Sequence, residues 1–107
     1  MSWYETIIAA HTAVTDAVSH SRRLRSDRYF VWQEDGADDL EANNRHVEPS
    51  MAGYTDLFTK VEFDPWAAAL GASFDASDRI LWQLSSVDYE EDTGFWHWRW
   101  RWRVLGG

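Results

Sequence analysis

The residues best suited to acid–base chemistry in this chain are four carboxylates within one short stretch: Asp88, Glu90, Glu91 and Asp92. Paired carboxylates can divide the roles of proton donor and acceptor when their environments differ. The stretch continues into Thr93 and Gly94, however, and acidic side chains beside such residues are typical of a solvated turn. We therefore expect a turn at this position and no catalytic pair.

The histidines do not fall into a metal-binding pattern. His11 and His20 are nine residues apart, and His46 and His97 lie far from both. The H-x₃-H and H-E-x-x-H spacings of zinc sites do not occur, so we expect no metal ligands. His11 lies on the apolar stripe of a predicted helix, and we expect it to be partly buried with one hydrogen-bond partner.

Nucleophilic catalysis also lacks its usual residues. The chain has no cysteine, and it contains no G-x-S-x-G elbow, P-loop or G-x-G-x-x-G fingerprint. Without a nucleophile or a ligand constellation, the sequence predicts a protein that is not an enzyme and that has no catalytic or cofactor-binding residues.

A second acidic run has no basic residue within it: Glu34, Asp35, Asp38, Asp39 and Glu41. Such a run is typical of a solvated loop. A calcium site is the alternative interpretation, but the spacing does not match the D-x-[DN]-x-[DN]-G loop of known calcium-binding motifs. We expect a solvated loop between two strands.

The overall composition excludes several classes of partner. The chain has 107 residues, a formal net charge of −8 and no cysteine, which fits one domain spanning residues 1–107. A net negative charge disfavours binding to nucleic acid, because phosphate contacts need a positive surface. No apolar run approaches the length of a membrane span, so we expect no membrane partner.

The elements that must position these residues follow from hydrophobic spacing. Residues 2–25 read as one amphipathic helix that begins at Ser2 and Glu5, as in a capping box, and ends in the arginines Arg22, Arg23 and Arg25. Residues 27–36 and 47–63 read as strands, with Gly53 as the site of a bulge. Residues 64–74 read as a short helix capped by Asp64, with Pro65 in its first turn.

The carboxyl-terminal stretch, residues 79–104, reads as a hairpin. A three-residue loop ending at Gly94 pairs Glu91 with Phe95 and Trp82 with Val104. Ile80, Trp82 and Leu84 then share a face with the tryptophans of the last strand. The complete prediction is an α+β domain of order α-β-β-α-β-β, in which two helices cover one face of a four-stranded antiparallel sheet.

The last strand has two contrasting faces. The indoles of Trp96, Trp98, Trp100 and Trp102 alternate with His97, Arg99, Arg101 and Arg103. We expect Trp100 and Trp102 in the core, whereas Trp96 and Trp98 near the hairpin tip are expected to extend past it. For the arginines three interpretations stay open, which are pairing with acids on neighbouring strands, contact with the acidic loop of a neighbouring copy, and contact with nucleic acid. The indoles lie on the opposite face, so stacking and phosphate contacts do not converge.

The strand predicted at residues 47–63 also carries apolar residues on both faces, with Leu57 on one side and Tyr54 and Phe58 on the other. We expect that second face to meet another surface, such as a neighbouring subunit. The predicted interface residues are Tyr54, Phe58, Trp96, Trp98, Arg99, Arg101 and Arg103.

Three stretches together resemble a known family: GYTDLFTKVEFDPW (residues 53–66), YFVWQEDGADDLEANN (29–44) and YEEDTGFWHWRWRWRV (89–104). They are similar to small tail-component proteins of phages and prophages, related to the tail-terminator or tail-completion proteins of long-tailed phages. The resemblance implies an α+β domain, a ring of usually six copies, and partners in the tail tube and the head–tail connector. It also implies a location in the virion, or in the bacterial host cytoplasm during assembly.

Charge adds one hypothesis to this resemblance and leaves one alternative. The acids between Glu34 and Glu41 could line a ring through which DNA slides without binding. The alternative function is an acidic inhibitor or immunity-like protein that binds a basic partner protein. Neighbouring genes for portal, connector and tail proteins would favour the first function, and an adjacent toxin or nuclease gene would favour the second.

Overall fold

The computed structural model describes residues 1–37 and 49–106. Its elements in chain order are α1 (Trp3–Thr12), β1 (Val18–His20), β2 (Arg28–Ala37), β3 (Ser50–Thr59), α2 (Pro65–Asp75), β4 (Ile80–Glu90) and β5 (Phe95–Leu105). Within the described residues the strands form one five-stranded sheet in the order β1-β2-β3-β5-β4. β1 runs parallel to β2, and the other neighbouring pairs are antiparallel.

The α+β class and the two helices agree with the sequence prediction, but the predicted four-stranded antiparallel sheet is wrong. The sheet is mixed and has a fifth strand, because residues 18–20 pair with β2 instead of continuing the first helix. That helix ends at Thr12. The residues that follow, Val14, Thr15 and Val18, are β-branched and favour helix only weakly, so pairing along the edge of β2 prevails.

The start of α1 confirms the predicted capping box. The Ser2 hydroxyl accepts from the Glu5 backbone N–H at 3.2 Å, and Glu5 accepts from the Ser2 N–H at 3.0 Å. The arginines expected in its last turn, Arg22, Arg23 and Arg25, lie instead in the segment between β1 and β2. The dipole interaction predicted for them is therefore wrong.

The start of α2 also agrees with prediction. Asp64 caps the helix by accepting from the Trp66 N–H at 2.9 Å, and Pro65 occupies the first turn. The Asp64 carboxylate accepts in addition from Arg28 and from the Thr59 hydroxyl. One buried carboxylate thus connects the start of α2 to the first residue of β2 and the last residue of β3.

Both helices pack on the same face of the sheet, which carries the main core. α1 contributes Ile7 and Ala10, and α2 contributes Ala67, Leu70 and Phe74. The sheet contributes Phe30, Trp32, Leu57, Ile80, Trp100, Trp102 and Val104. We call this face the helix face. Neither described helix has the length and hydrophobicity of a membrane-crossing segment.

The opposite face of the sheet, which we call the arginine face, carries a smaller cluster. Tyr29, Val31 and Phe58 are buried there, with Ala17 and Phe95 packed against them. Arg23 lies over the Phe58 ring at 4.1 Å and donates to the Tyr29 hydroxyl at 3.5 Å. Residues of the same chain therefore cover part of the surface that we predicted to contact a neighbouring subunit.

Two irregularities set the register of the sheet. A bulge lies in β2 between Glu34 and Gly36, opposite Gly53 and Ala52, so the bulge predicted at Gly53 belongs to the partner strand. A second irregularity lies in β4 between Leu84 and Ser86. The hairpin pairs Glu90 with Phe95 and Trp82 with Trp102, which corrects the predicted pairs. The left-handed conformation expected at Gly94 is confirmed, with φ at 77°.

Candidate interaction surface

The two-faced character of β5 is present in the structure. Trp96, Trp98, Trp100 and Trp102 pair across with Thr59, Leu57, Thr55 and Gly53 on β3, whereas the intervening His97, Arg99 and Arg101 pair with Phe58, Asp56 and Tyr54. Side chains of directly paired residues lie on the same face. All four indoles therefore lie on the helix face, as predicted.

Trp100 and Trp102 form the centre of the core, with exposed fractions of 2% and 3%. The Trp102 ring passes over Gly53, where the absence of a side chain leaves room for it. The Trp102 indole N–H donates to the Thr55 hydroxyl at 2.9 Å. The predicted burial of these two rings is confirmed.

On the helix face, the two helices leave uncovered the half of the hairpin that is nearest its turn. Trp96 and Trp98 are only partly buried, and Leu84, Val87 and Tyr89 are 46%, 40% and 50% exposed. The Trp98 ring stacks on Trp100 at 5.9 Å, and Tyr89 packs against Trp96 at 4.8 Å. The tip-proximal indoles extend past the core, in agreement with the sequence.

A groove separates α2 from this part of the hairpin. It has a volume of ≈ 580 Å³, and its lining includes Ala68, Ala72, Leu84, Trp98 and Trp100. Phe63 stands at its rim with 83% of its surface exposed, in a left-handed conformation with φ at 54°. The Trp98 indole N–H is buried without a hydrogen-bond partner among the described residues. The groove itself is lined mainly by apolar side chains.

On the arginine face, Asp56 is the centre of an ion-pair cluster. Its carboxylate accepts from Arg99 at 2.7 and 3.0 Å and lies 2.9 Å from His97 Nε2. Burial acts to raise the pKa of Asp56, but the hydrogen bonds from His97 and Arg99 outweigh it and hold the pKa below 3.8. Arg99 also lies over the Tyr54 ring at 4.3 Å.

Arg101 and two acids of the run at residues 34–41 also form ion pairs within the chain. Arg101 lies 3.4 Å from Asp35, and Glu34 lies 2.6 Å from His20. Two members of the acidic run are thus paired with bases from other elements. Arg99 agrees with the first interpretation, because Asp56 lies on the neighbouring strand β3. Arg101 instead pairs with an acid of its own chain on β2, which is not adjacent to β5. Asp38, Asp39 and Glu41 lie outside the described residues. The calcium and lumen hypotheses depend on these residues and are therefore not tested by the structure.

The predicted interface residues differ in burial and lie on both faces of the sheet. Tyr54, Trp96, Trp98, Arg99 and Arg103 are partly buried, Arg101 is exposed, and Phe58 is buried with 4% exposed. Trp96 and Trp98 share the helix face, and the other five lie on the arginine face. Their role in contacts between subunits stays a prediction.

The residues considered for acid–base or metal chemistry lie in different environments. His11 is fully buried and has two partners, the Ile7 carbonyl at 2.7 Å and the Thr55 hydroxyl at 2.8 Å, so the expectation of partial burial and one partner is wrong. The carboxylates Asp88, Glu91 and Asp92 are exposed around the turn. The described part of the chain contains no group of three or more His, Cys, Asp or Glu side chains that could hold a metal ion.

Comparison with known proteins finds a likeness among solved structures. No family model matches this chain, and no curated protein matches it. Among solved structures, a chain of the virion of a native gene transfer agent particle is similar, with a TM-score of 0.51 and 16% identity. The match covers 98% of this chain and 92% of that chain. At this identity the likeness shows a shared fold, which extends over nearly the whole of both chains.

Sequence reasoning missed part of the exposed apolar surface. Val87 and Tyr89 pair with Trp98 and Trp96 on the helix face only because the irregularity at Ser85 shifts the alternation of β4. Phe63 follows β3 in a segment that was assigned to the strand itself. An available signal was the serine pair Ser85–Ser86, which interrupts an otherwise apolar pattern.

Proposed function

We propose that this protein is a non-enzymatic structural subunit of a phage-like virion, acting as a tail-terminator or tail-completion protein at the head–tail junction. The observation that carries the proposal is the fold shared, over 98% of this chain, with a chain of a gene transfer agent virion. The finer assignment to the tail terminator rests on the resemblance of the stretches around Gly53–Trp66 and the closing hairpin.

The exposed surface suits a subunit that completes its packing on a partner. Large apolar side chains that the two helices leave uncovered mark contact sites more often than solvent-facing surface. Aromatic residues are enriched in the buried centres of interfaces. The groove beside α2 combines Phe63 at its rim with Trp98 and Leu84 on its floor, so we assign it to a protein of the tail tube or the connector.

The apolar lining of the groove specifies the chemistry of that partner. A partner that inserts an apolar side chain between Phe63 and Trp98 would fill the groove. In this proposal the copies form a ring, up to a hexamer, located in the virion or, during assembly, in the host cytoplasm.

Electron microscopy of the protein mixed with tail tubes of the phage or prophage that encodes it tests the function. Wild-type protein is expected to cap tube ends or to form rings there. Phe63→Asp is expected to reduce capping, because it places a charge at the rim of the groove without removing core packing. Leu81→Asp is the matched control, since Leu81 is 54% exposed and lies on the opposite face of the hairpin.

Bare tube ends with wild-type protein would contradict the tail-terminator assignment. Capture of a basic partner protein in the same experiment, with an inhibited activity of that partner, would favour the acidic inhibitor instead. Equal capping by Phe63→Asp and wild-type protein would keep the virion function and reject the groove as the contact surface.

A further inference from the structure

A recess on the helix face lies between α1 and the β1 edge of the sheet. It has a volume of ≈ 300 Å³ and is lined by Trp3, Tyr4, Ile8, His20, Trp32 and Glu34. This volume is at the lower limit of small-ligand sites, which span roughly 300–1,000 Å³. The recess therefore suits one inserted side chain and not a whole helix or strand.

Four of the six lining residues carry aromatic rings. The Trp3 ring is nearly perpendicular to the rings of Tyr4 and Trp32, at 89° and 84°. The His20 ring stacks on Trp32 at 4.0 Å. A group that enters between perpendicular rings lies against the face of at least one of them, and the face of an aromatic ring attracts cations.

Glu34 supplies the recess with a carboxylate. Burial acts to raise the pKa of Glu34, but hydrogen bonds, chiefly the one from His20, outweigh it and hold the pKa below 4.5. Glu34 Oε1 lies 2.6 Å from His20 Nε2 and accepts from Gln33 Nε2 at 3.1 Å. Both contacts use the same oxygen, which leaves Oε2 for a further donor within the described part of the chain. No lysine or arginine is among the described residues that line the recess.

The arginine face contains a complete version of the same arrangement. There the Asp56 carboxylate lies 2.9 Å from His97 Nε2, and the His97 ring stacks on Phe58 at 4.4 Å. Arg99 donates to both Asp56 oxygens, at 2.7 and 3.0 Å, and lies over the Tyr54 ring at 4.3 Å. A guanidinium thus completes a set that consists of a carboxylate, a histidine stacked on a ring and a further aromatic ring.

A second buried carboxylate of the chain is paired in a similar way. Arg28 donates to both oxygens of Asp64 and lies over the Trp66 ring at 3.9 Å. Glu34 has the carboxylate, the stacked histidine and the rings, but it has no guanidinium among the described residues. The recess therefore has the composition of an arginine site that is incomplete in the described part of the chain.

We infer that the recess binds an arginine side chain of a partner protein, with the guanidinium between the aromatic rings and Glu34. The planar guanidinium stacks on rings and donates two parallel hydrogen bonds to a carboxylate, which the ammonium of lysine does not do. Tyr4 and Ile8 are 49% and 41% exposed, and exposed apolar side chains grouped at one site mark contact with another protein. The net charge of −8 attracts a basic partner surface.

This inference goes beyond the proposed function and does not depend on it. The recess lies beside β1 and β2, whereas the groove lies beside β4 and β5 at the opposite edge of the sheet. Separate variants therefore test the two surfaces.

NMR titration of the wild-type protein with short peptides tests the site. The probe is a blocked pentapeptide with one arginine between glycines, and its controls carry lysine or citrulline, which has nearly the shape of arginine without the charge. The arginine peptide is expected to shift the indole signals of Trp3 and Trp32 saturably. The lysine peptide should bind at least about threefold more weakly, and the citrulline peptide at least about tenfold more weakly.

Two pairs of variants separate the contributions of the carboxylate and the ring. Glu34→Gln is expected to weaken binding of the arginine peptide about tenfold, and it keeps an acceptor for His20. Glu91→Gln is the matched control, because it changes the net charge equally but lies exposed in the hairpin turn. Tyr4→Leu should weaken binding at least about threefold, whereas Tyr4→Phe keeps the ring and should bind like wild-type protein.

Equal shifts with the arginine and citrulline peptides, or equal binding by Glu34→Gln and Glu91→Gln, would overturn the inference. Peptide binding that occurs only in the variant Arg45→Gln would also overturn it, because the recess would then belong to Arg45 of the same chain, which lies outside the described residues. Normal capping of tail tubes without peptide binding would reject the arginine site and keep the proposed function. Peptide binding with bare tube ends would keep the arginine site and reject the proposed function.

Discussion

His11 Nε2 lies 2.8 Å from the Thr55 hydroxyl oxygen, and this contact joins α1 to the central strand of the sheet. The Trp102 indole N–H donates to the same hydroxyl oxygen at 2.9 Å. The Thr55 O–H is then free to donate to His11 Nε2, and His11 Nδ1–H donates to the Ile7 carbonyl at 2.7 Å. The chain of donors runs in one direction and corresponds to a neutral histidine protonated on Nδ1.

Replacement of Thr55 by valine tests the contribution of this network. Thr55→Val keeps the shape of the side chain but leaves the Trp102 N–H and the His11 Nε2 without a partner in the core. We expect the free energy of unfolding to fall by about 3 kcal/mol, measured by urea denaturation. Thr55→Ser is the matched control and should lose only about 1 kcal/mol, because it keeps the hydroxyl and removes one methyl group. Equal losses would show that packing, and not hydrogen bonding, governs this position.

The buried His11 predicts a specific loss of stability in weak acid. Burial lowers the pKa of His11 from 6.5 to about 4, and the Ile7 hydrogen bond offsets this only in part. Between these two pH values the unfolded chain binds a proton at His11 that the folded chain does not bind. The stability that is present above pH 6.5 is therefore lost as the pH falls toward about 4. The loss amounts to about 3 kcal/mol. Urea denaturation at several pH values should show this slope in wild-type protein and a flatter one in His11→Gln.

Asp56 predicts a second, more acidic transition. Its lowered pKa means that its contribution to stability is present above pH 3.8 and is lost as the pH falls through the folded-state value. Asp56→Asn should cost about 2 kcal/mol at neutral pH, because Arg99 and His97 lose a charged acceptor. The control Asp35→Asn should cost less than about 0.5 kcal/mol, since its pair with Arg101 is half exposed. A similar loss in both variants would contradict the special role of Asp56.

Gly53 predicts a steric effect. A Cβ atom at this position would lie 2.4 Å from Trp102 Cη2 and 2.5 Å from the Gln33 carbonyl oxygen. Gly53→Ala is therefore expected to lower the free energy of unfolding by about 3 kcal/mol. Gly71→Ala is the comparison, because its nearest neighbour is the partly exposed Trp82 side chain at 3.0 Å, and helix propensity improves by about 1 kcal/mol. Thermal unfolding of the two variants should separate them clearly.

Local patterns in the chain predicted several elements correctly. The capping box at Ser2 and Glu5, the Asp64–Pro65 start of α2 and the alternation of tryptophan and arginine in β5 each involve residues within a few positions of one another. Such features depend on backbone geometry that neighbouring residues determine directly. The burial of Trp100 and Trp102 follows from the same alternation.

The extent of α1 and the register of the hairpin were beyond this kind of reasoning. The apolar spacing of residues 14–24 satisfies a helix, but Val18 pairs with Phe30 in the sheet. The irregularity at Ser85 moves Val87 and Tyr89 to the helix face, and the serine pair Ser85–Ser86 permits it without requiring it. In both cases the deciding interaction is pairing with the next strand along the chain, and the spacing of residues within one segment does not specify that pairing.

By itself, the amino-acid sequence determined which residues form the closing strand, that its indoles share one side, and where both helices begin. Only the tertiary structure decided that Arg99 pairs with Asp56, 43 residues earlier in the chain, and that Thr55 links His11 to Trp102. It also decided that the half of the hairpin nearest its turn is left uncovered by the helices. The physical reason is that periodicity and capping are local, whereas ion pairs, buried hydrogen bonds and exposed surface depend on which distant strands become neighbours.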